Sequence, residues 1–365
     1  MTENNNKNKI IVGISGGVDS SVAAMLLKEK GYDVEALFMK NWNDQTENGK
    51  CLWENDVKDA MQVCDKLSIP LNTVDLSKDY WEKVFKNFLT EYKNGRTPNP
   101  DVLCNKEIKF KAFLEHAENL GAEKFATGHY ASKSMNGDSI KLLKSIDNNK
   151  DQSYFLCCLN QNQLDKTLFP IGKLYKKDVR DLAKEAGLIT HNKKDSTGIC
   201  FTGEQPFRNF LSNFIKSEKG LIKTVDGKSI GEHEGAFFYT LGQRQGLGIG
   251  GVKNATDAPW YIVKKNIDDN ELIVAQDHDH PFLHSKKLTV LNINWISEEI
   301  PPLPLVCKAK CRYRQTDQKC TVFTGENNDF IVKFEFSQRA ITPGQYIVFY
   351  NKNECLGGGI IDSTY

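Results

Sequence analysis

The chain has 365 residues, a formal net charge of +1, 39% hydrophobic residues and 26% charged residues. This balance is typical of a globular protein in water, and the length predicts two or three domains. A net charge of +1 excludes a strong overall electrostatic attraction of polyanions, so any nucleic-acid site has to come from local basic patches. No apolar run reaches the length of a membrane span, and no signal-peptide core follows the polar start Met1–Lys9. We expect a cytoplasmic protein without a membrane partner.

The ten cysteines are not expected to form a disulfide framework, because no secretory signal accompanies them. Cysteines in that setting serve metals, redox chemistry or nucleophilic attack. No two of them have C-x-x-C spacing: Cys157 and Cys158 are adjacent, and three residues separate Cys307 from Cys311. We therefore predict no protein-bound metal.

A phosphate-binding loop is predicted near the start of the chain. Ile10–Val12 is a buried-strand run, Ser15–Gly17 a glycine turn, and Ser20–Lys30 an amphipathic helix. Adjacent glycines let a ligand approach the backbone, and a helix N-terminus attracts anions. No lysine follows Gly17, so this is not a Walker loop. The alternative is a glycine turn without a ligand.

Strand and helix patterns alternate beyond this loop. The segments, in order, are strand Asp33–Met39, helix Val57–Leu67, strand Leu71–Val74, helix Tyr80–Lys93, a strand–helix unit starting at Lys124–Tyr130, and helix Leu182–Leu188. The alternation predicts an α/β domain with a doubly wound parallel sheet, whose ligand binds at the carboxyl ends of the strands.

The texture changes after the polar loop Lys193–Gly203, where we place the first domain boundary. The predicted domains are a catalytic domain over 1–205, a small mixed domain over 206–280 and a C-terminal β-barrel over 281–365. Helix Pro206–Lys219 and a hairpin from Trp260–Lys264 to Glu271–Ala275 belong to the second. The barrel follows from regularly spaced strand patterns without helices, Val306–Tyr313, Thr321–Thr324, Phe330–Phe336, Tyr346–Tyr350 and Cys355–Ile361.

Two cysteines stand in contexts that favour reactivity. Asp101 is a good helix cap, which would put Cys104 at about the third helical position, where a thiol's pKa falls. Cys200 lies between Gly198 and Gly203 in a loop that could bring it to a partner. Together with the predicted phosphate-binding loop they indicate sulfur transfer. A redox pair forming a regulatory disulfide, or a buried Cys104 that only packs, remains the alternative.

A basic cluster marks the barrel. Between Pro301 and Cys320 a single acid, Asp317, faces five basic residues, Lys308, Lys310, Arg312, Arg314 and Lys319. Tyr313 among them offers a stacking face, which is typical of RNA-contacting surfaces. The alternative is a solvated barrel edge.

The loop SGGVDS resembles the PP-loop of the N-type ATP pyrophosphatases, which cut ATP between the α and β phosphates. The whole chain resembles one family among them, the tRNA-specific 2-thiouridylases. The motifs that carry this resemblance are Gly13–Ser20, Phe38–Trp42, Thr97–Phe110, Lys150–Phe155, Asp195–Cys200, Tyr239–Gly251 and Arg312–Asp317.

This resemblance implies a sulfurtransferase. In the implied reaction, ATP adenylates the C2 oxygen of the wobble uridine in tRNAs for Lys, Glu and Gln, pyrophosphate leaves, and sulfur then displaces AMP. By resemblance, Asp101 is a general acid/base, Cys200 carries the persulfide, and Cys104 is its partner. A cysteine desulfurase or a sulfur-relay protein loads Cys200. We also expect Mg²⁺ to be bound with ATP and the protein to be a monomer when free.

The resemblance also assigns ligand contacts, which we list by ligand. The ATP contacts are Gly13, Ile14, Ser15, Gly16, Gly17, Val18, Asp19, Ser20, Met39 and Gly128. The tRNA contacts are Asn99, Pro100 and Asp101 at the target base, together with Lys150, Asp151, Gln152, Arg312 and Tyr313.

Three matters stay open in the sequence. The persulfide could attack C2 directly, or Cys104 could first release hydrosulfide and leave a Cys104–Cys200 disulfide. A different PP-loop ligase acting on a small molecule would release pyrophosphate without RNA. A non-catalytic, nucleotide-gated RNA-binding protein would bind tRNA and ATP without forming AMP.

Overall fold

The structure, a computed structural model, describes residues 8–42, 53–195, 207–249, 256–325 and 329–365. Cys200 and the adjoining part of its loop lie outside these ranges. None of the helices in these ranges has the length and hydrophobicity of a membrane span.

Helices and strands are numbered along the chain. The strands are β1 (Lys9–Ile14), β2 (Asp33–Lys40), β3 (Leu71–Asp75), β4 (Lys124–Ala126), β5 (Ala131–Asn136), β6 (Ser139–Lys144), β7 (Thr167–Leu168), β8 (Gly220–Thr224), β9 (Ser229–His233), β10 (Trp260–Asn266), β11 (Glu271–Gln276), β12 (His284–Trp295), β13 (Leu305–Lys310), β14 (Gln318–Thr324), β15 (Phe330–Arg339), β16 (Tyr346–Asn351) and β17 (Glu354–Thr364). The α-helices are α1 (Val18–Glu29), α2 (Glu54–Leu67), α3 (Ser77–Tyr80), α4 (Lys86–Lys93), α5 (Pro100–Cys104), α6 (Phe113–Asn119), α7 (Gln161–Lys166), α8 (Lys176–Glu185) and α9 (Phe207–Ser212). The π-helical segments Trp81–Phe85 and Asn105–Ala112 join α3 to α4 and α5 to α6.

A parallel sheet in the order β3-β2-β1-β4-β7 forms the first part of the molecule. Side chains of β1 alternate between its two faces, as the strand period requires. Ile10 and Val12 pack in a core with α1 and α2, whereas Ile11 packs in a second core with Val84 and Ile108. Helices therefore cover both faces, and the predicted doubly wound α/β fold is confirmed.

The strand order reverses direction between β1 and β4, which are neighbours. In open parallel sheets such a switch point leaves a crevice at the carboxyl ends of the strands. The predicted phosphate loop follows β1, and Gly128 follows β4. Both therefore border the same crevice.

A small mixed sheet comes next, in the order β10-β11-β8-β9. β11 and β8 are parallel, while the other pairs are antiparallel, including the predicted hairpin β10–β11. The predicted helix Pro206–Lys219 is shorter in the structure, since α9 ends at Ser212. The small mixed domain is thus confirmed.

The C-terminal strands close into a barrel in the order β12-β15-β14-β13-β16-β17, with β12 pairing back to β17. The interior is apolar: Val332 and Phe349 are fully buried. The predicted barrel is confirmed, although the prediction omitted β12. The sheet also includes the hairpin β5–β6 from the first part of the chain, because Leu142 and Leu143 of β6 pair with β17.

Candidate active site

The glycine loop connects β1, which ends with Gly13 and Ile14, to α1, which begins at Val18. Gly16 has φ +71°, and a Cβ there would overlap the backbone of Asp56 on α2. Gly17 precedes α1, and no side-chain hydrogen bond caps the helix. The amides at this end therefore remain available to an anion, which is the property that a phosphate cradle needs.

Serine hydroxyls hold the loop in shape. Ser15 donates its amide to Ser20 Oγ at 3.2 Å, and Ser20 Oγ donates to the Gly17 carbonyl at 3.1 Å. Ser21 Oγ donates to the same carbonyl at 2.8 Å. The loop is thus preformed, so little conformational entropy is lost when a ligand binds.

Gly128 lies directly against the loop. A Cβ at this position would come within 2.6 Å of Ser20 N and 2.7 Å of the Asp19 carbonyl carbon. Met39 follows Phe38, which is the register partner of Ile14. The predicted ATP contacts at the ends of β1, β2 and β4 are therefore adjacent, and their contact with ATP stays a prediction.

Asp19 of the loop is held by two groups that are distant in sequence. Tyr130 donates its hydroxyl at 2.9 Å, and Lys176 Nζ lies 2.7 and 2.8 Å from the two carboxylate oxygens. Lys176 was not among the predicted site residues, because the helix predicted from Leu182 begins at Lys176 in the structure, as α8. The spacing of Val179, Leu182 and Ala183 was the available signal for the longer helix.

Asp195, the first residue of the stretch that contains Cys200, gathers three cations. Its oxygens lie 2.6 Å from Lys150, 2.8 Å from Lys176 and 2.7 Å from Arg180. Burial acts to raise the pKa of Asp195, but hydrogen bonds from Lys150 and Lys176 outweigh it and lower the pKa to about 2. The carboxylate is therefore charged at neutral pH.

The helix that carries Asp101 and Cys104 is capped by Asn99, so the prediction that Asp101 caps it was wrong. Asn99 Oδ1 accepts from the amides of Asp101 at 3.2 Å and Val102 at 3.4 Å. Pro100 is the first helical residue, and its fixed φ favours that position. Cys104 becomes the fifth helical residue rather than the third, and its side chain is buried.

Lys109 lies near two other groups of this region. Burial raises the pKa of Asp101 above its ordinary value, and the charge of Lys109 opposes that rise. Burial lowers the pKa of His129 well below its ordinary value, and Lys109 acts in the same direction. His129 Nδ1 is 2.9 Å from the Thr127 hydroxyl. The rings of Phe110 and His129 are 5.5 Å apart, so the helical segment that follows Asp101 packs against the segment after β4.

The barrel holds the segment that leads into this helix. Thr97 donates its amide to the Pro343 carbonyl at 3.0 Å. The Gln345 side chain donates to the carbonyls of Thr97 at 2.7 Å and Pro98 at 3.2 Å. The position of Asp101 therefore depends on contacts with the C-terminal barrel.

The predicted tRNA contacts of the two sequence regions meet across a groove. Tyr313 lies in the turn after β13, its hydroxyl 3.5 Å from the Lys150 carbonyl and its ring 4.4 Å from that of Phe155. Arg312 donates to the Ala340 carbonyl at 2.7 Å. The groove has a volume of about 950 Å³, and its basic lining residues are Lys144, Lys150, Lys308, Lys310, Arg314 and Lys352.

Two of the predicted tRNA contacts have their polar groups engaged inside the protein. Asp151 is buried and accepts from the amides of Ser145 at 3.0 Å and Ser153 at 3.2 Å. The side-chain oxygen of Gln152 accepts a hydrogen bond from the Tyr130 backbone amide at 2.9 Å, and the Gln152 backbone amide donates to the Tyr130 carbonyl at 2.8 Å. These contacts position the neighbouring Lys150, and an RNA contact by either residue stays a prediction.

The cysteines within the described ranges are all buried and free of disulfides. No group of three or more His, Cys, Asp or Glu side chains suited to a metal ion occurs among those same residues. Cys200, the predicted persulfide carrier, lies outside the described residues.

Three family models match successive parts of the chain. The tRNA methyl transferase HUP domain matches residues 8–204, the tRNA methyl transferase PRC-barrel domain 208–276, and the aminomethyltransferase beta-barrel domain 285–361. The NMN synthetase structure from Francisella tularensis is similar over 53% of this chain and 68% of its own, with 17% identity and a TM-score of 0.33, which is too low to support an argument.

Relatives from several bacteria are similar over almost their full length. The tRNA-specific 2-thiouridylase MnmA of Legionella pneumophila is 57% identical over 98% of this chain and 99% of its own. The proteins of the same name from Hydrogenovibrio crunogenus and Francisella philomiragia are 54% and 53% identical, over 100% and 97% of this chain and 96% and 99% of their own. The chain therefore belongs to the tRNA-specific 2-thiouridylase family of enzymes, as its motifs predict.

Proposed function

We propose that the protein catalyses the ATP-dependent 2-thiolation of the wobble uridine in tRNAs for Lys, Glu and Gln. The observation that carries the proposal is the glycine loop at the carboxyl end of β1, whose helix N-terminus has no side-chain cap and against which Gly128 packs. Phe110, in the helical segment that continues the Asp101–Cys104 helix, has its ring 5.5 Å from that of His129, the neighbour of Gly128. Membership of the 2-thiouridylase family supports the choice of uridine and sulfur.

ATP is a substrate of this reaction, and the loop fits its phosphates. The open end of α1 offers amide donors, and Gly128 leaves room that a Cβ would fill. Lys176, whose ammonium group lies beside Asp19, supplies the cation that the loop itself lacks. We propose that Mg²⁺ arrives with ATP rather than in a preformed protein site.

In the first step the uridine C2 oxygen attacks the α phosphorus, and the bond to the β phosphate breaks as pyrophosphate leaves. Asp101 acts as the general acid/base beside the base. Its raised pKa suits this role, because a carboxyl group titrating nearer neutrality exchanges protons more readily at physiological pH. Adenylation turns the C2 oxygen into a leaving group.

In the second step sulfur from a Cys200 persulfide bonds to C2, and the C2–oxygen bond breaks with release of AMP. Two reaction sequences are balanced in electrons. In one, the terminal sulfur attacks C2 and Cys104 then cleaves the S–S bond. In the other, Cys104 first releases hydrosulfide, which attacks C2. Either route ends in a Cys104–Cys200 disulfide, which a cellular thiol must reduce. A cysteine desulfurase or a relay protein then reloads Cys200.

We propose that tRNA lies along the groove between the first part of the chain and the barrel. Lys308, Arg314 and Lys352 are exposed there and suit backbone phosphates, and Tyr313 suits a base or ribose. The division into domains 1–205, 206–280 and 281–365, the monomeric state and the cytoplasmic location also belong to this proposal.

The test is incubation of the protein with ATP, Mg²⁺, a sulfide source and unmodified tRNA, followed by nucleoside analysis. With a persulfide donor in place of the sulfide source, we expect 2-thiouridine from the wild type and none from Cys200→Ser. Cys64→Ala, a change at a buried cysteine of α2, is the matched control. Pyrophosphate release without tRNA would instead favour a small-molecule ligase, and binding without AMP formation would favour a non-catalytic protein.

A further inference from the structure

A continuous line of ion pairs runs from the groove to the phosphate loop. It starts at Lys150 on the groove, passes through Asp195 at 2.6 Å, continues to Lys176 at 2.8 Å, and ends at Asp19 at 2.7 Å. Lys150 and Lys176 come from different segments and face different predicted ligands. The carboxylate of Asp195 touches both.

The side chains of these ion pairs are partly buried. The side chain of Lys176 is only 12% exposed, and those of Asp195 and Asp19 are 30% and 31% exposed. Water screens such pairs less than fully exposed ones, so a change in charge at one end is felt further along. Lys150, at 35% exposure, is the end that an incoming ligand can reach.

We propose that Asp195 is a positioning residue that couples Lys150, on the RNA side, to Lys176, on the nucleotide side. This inference rests on the proposed function, because it takes RNA phosphate as the ligand of Lys150 and nucleotide phosphate as the ligand of Lys176. An RNA phosphate that engages Lys150 competes with Asp195 for that lysine. The carboxylate then holds Lys176 more strongly, which makes Lys176 less available to the nucleotide.

The coupling has a consequence that can be measured without RNA. Removing Lys150 leaves Asp195 with only Lys176 and Arg180, so Lys176 is held more tightly and the nucleotide binds more weakly. A lysine that only touched RNA would leave nucleotide binding unchanged. Coupled neighbours typically deviate from additivity by at least about 0.5 kcal/mol, which corresponds to about twofold in a dissociation constant.

The experiment measures the Kd of a non-hydrolysable ATP analogue by calorimetry, with no tRNA present, for wild type, Lys150→Gln, Asp195→Asn and the double variant. We expect Lys150→Gln to raise the Kd about twofold or more, and to have no effect when Asp195→Asn is already present. Lys124→Gln is the matched control, because Lys124 is 36% exposed and lies 3.1 Å from a carboxylate of its own, Asp165.

Wild-type affinity in Lys150→Gln, or an equal effect of Lys150→Gln with and without Asp195, would overturn the coupling. If Asp195→Asn does not fold, the contrast between Lys150→Gln and Lys124→Gln still decides the question. The thiolation assay separates this inference from the proposed function. If the variants show the coupling but the wild type makes no 2-thiouridine, the proposed function alone is refuted. If the wild type makes 2-thiouridine but the variants show no coupling, the inference alone is refuted.

Discussion

Replacing Gly128 by alanine tests whether the close approach of the β4 segment to the glycine loop is needed for nucleotide binding. The added Cβ would lie 2.6 Å from Ser20 N, 2.7 Å from the Asp19 carbonyl carbon and 3.0 Å from Ser20 Cα. All three are backbone atoms, so no side-chain rotation relieves the overlap. The loop or the β4 segment has to move by several tenths of an ångström, at a cost of about 1–3 kcal/mol, which is typical of overpacking.

The displacement falls on the loop that we propose holds the phosphates. We therefore expect Gly128→Ala to raise the Kd of a non-hydrolysable ATP analogue by about tenfold or more, which corresponds to about 1.4 kcal/mol. Calorimetry measures the affinity, and tRNA-dependent pyrophosphate release measures the effect on the first chemical step.

Gly231→Ala is the matched control for this change. Its Cβ would meet Ile222 Cδ1 at 3.6 Å, which is an ordinary van der Waals contact. We expect it to bind the analogue like the wild type. A Gly128→Ala protein with wild-type affinity would show that the loop tolerates the displacement, and the steric argument for Gly128 would be wrong.

Three further predictions concern charge and capping. Lys109→Met should raise the pKa of Asp101 further and move the acidic limb of the kcat/KM pH profile to higher pH, since a base loses activity as pH falls through its pKa; an unmoved limb would argue against Asp101 as the base. Asn99→Ala removes the cap, so it should lower the free energy of unfolding in urea by about 0.5–2 kcal/mol and should also lower kcat. Asn99→Asp keeps a capping oxygen and should leave the stability and kcat near their wild-type values. The pKa of Asp195 in the folded protein, about 2, lies below the pKa of an aspartate in an unfolded chain, about 3.9. The ionised carboxylate therefore stabilises the fold fully at pH values above about 3.9, and this stabilisation is lost as the pH falls towards 2. Asp195→Asn should therefore be less stable than wild type at pH 6, with the difference narrowing between about pH 4 and pH 2; a constant difference would contradict this.

The buried parallel strands were predictable because their signal is local. Ile10–Val12 of β1 and Ala36–Met39 of β2 are continuous apolar runs, and the glycines after β1 limit what can follow. The hairpin β5–β6 gave no such signal: Ala131–Asn136 is mostly polar, and its place depends on β17, over two hundred residues later. Pairing over such a distance is decided by tertiary packing rather than by propensity.

The candidate site divides in the same way. Asp101 and Cys104 were found because residues close in sequence share one helix turn, although Pro100 was a signal for Asn99 as the cap that the prediction did not use. Lys176 and Asp195 contribute through ion pairs that join distant segments. Nothing in the one-dimensional pattern indicates which lysine a carboxylate will meet.

The pairing of β6 with β17 has a consequence for how the molecule is built. Because the first part of the chain contributes a hairpin to the sheet of the last part, the two share backbone hydrogen bonds. A chain cut before the barrel would expose the edge of β6, and unpaired edges of this kind promote aggregation. The α/β and barrel regions are therefore not interchangeable modules, and a fusion or truncation that separates them has to replace the missing strand.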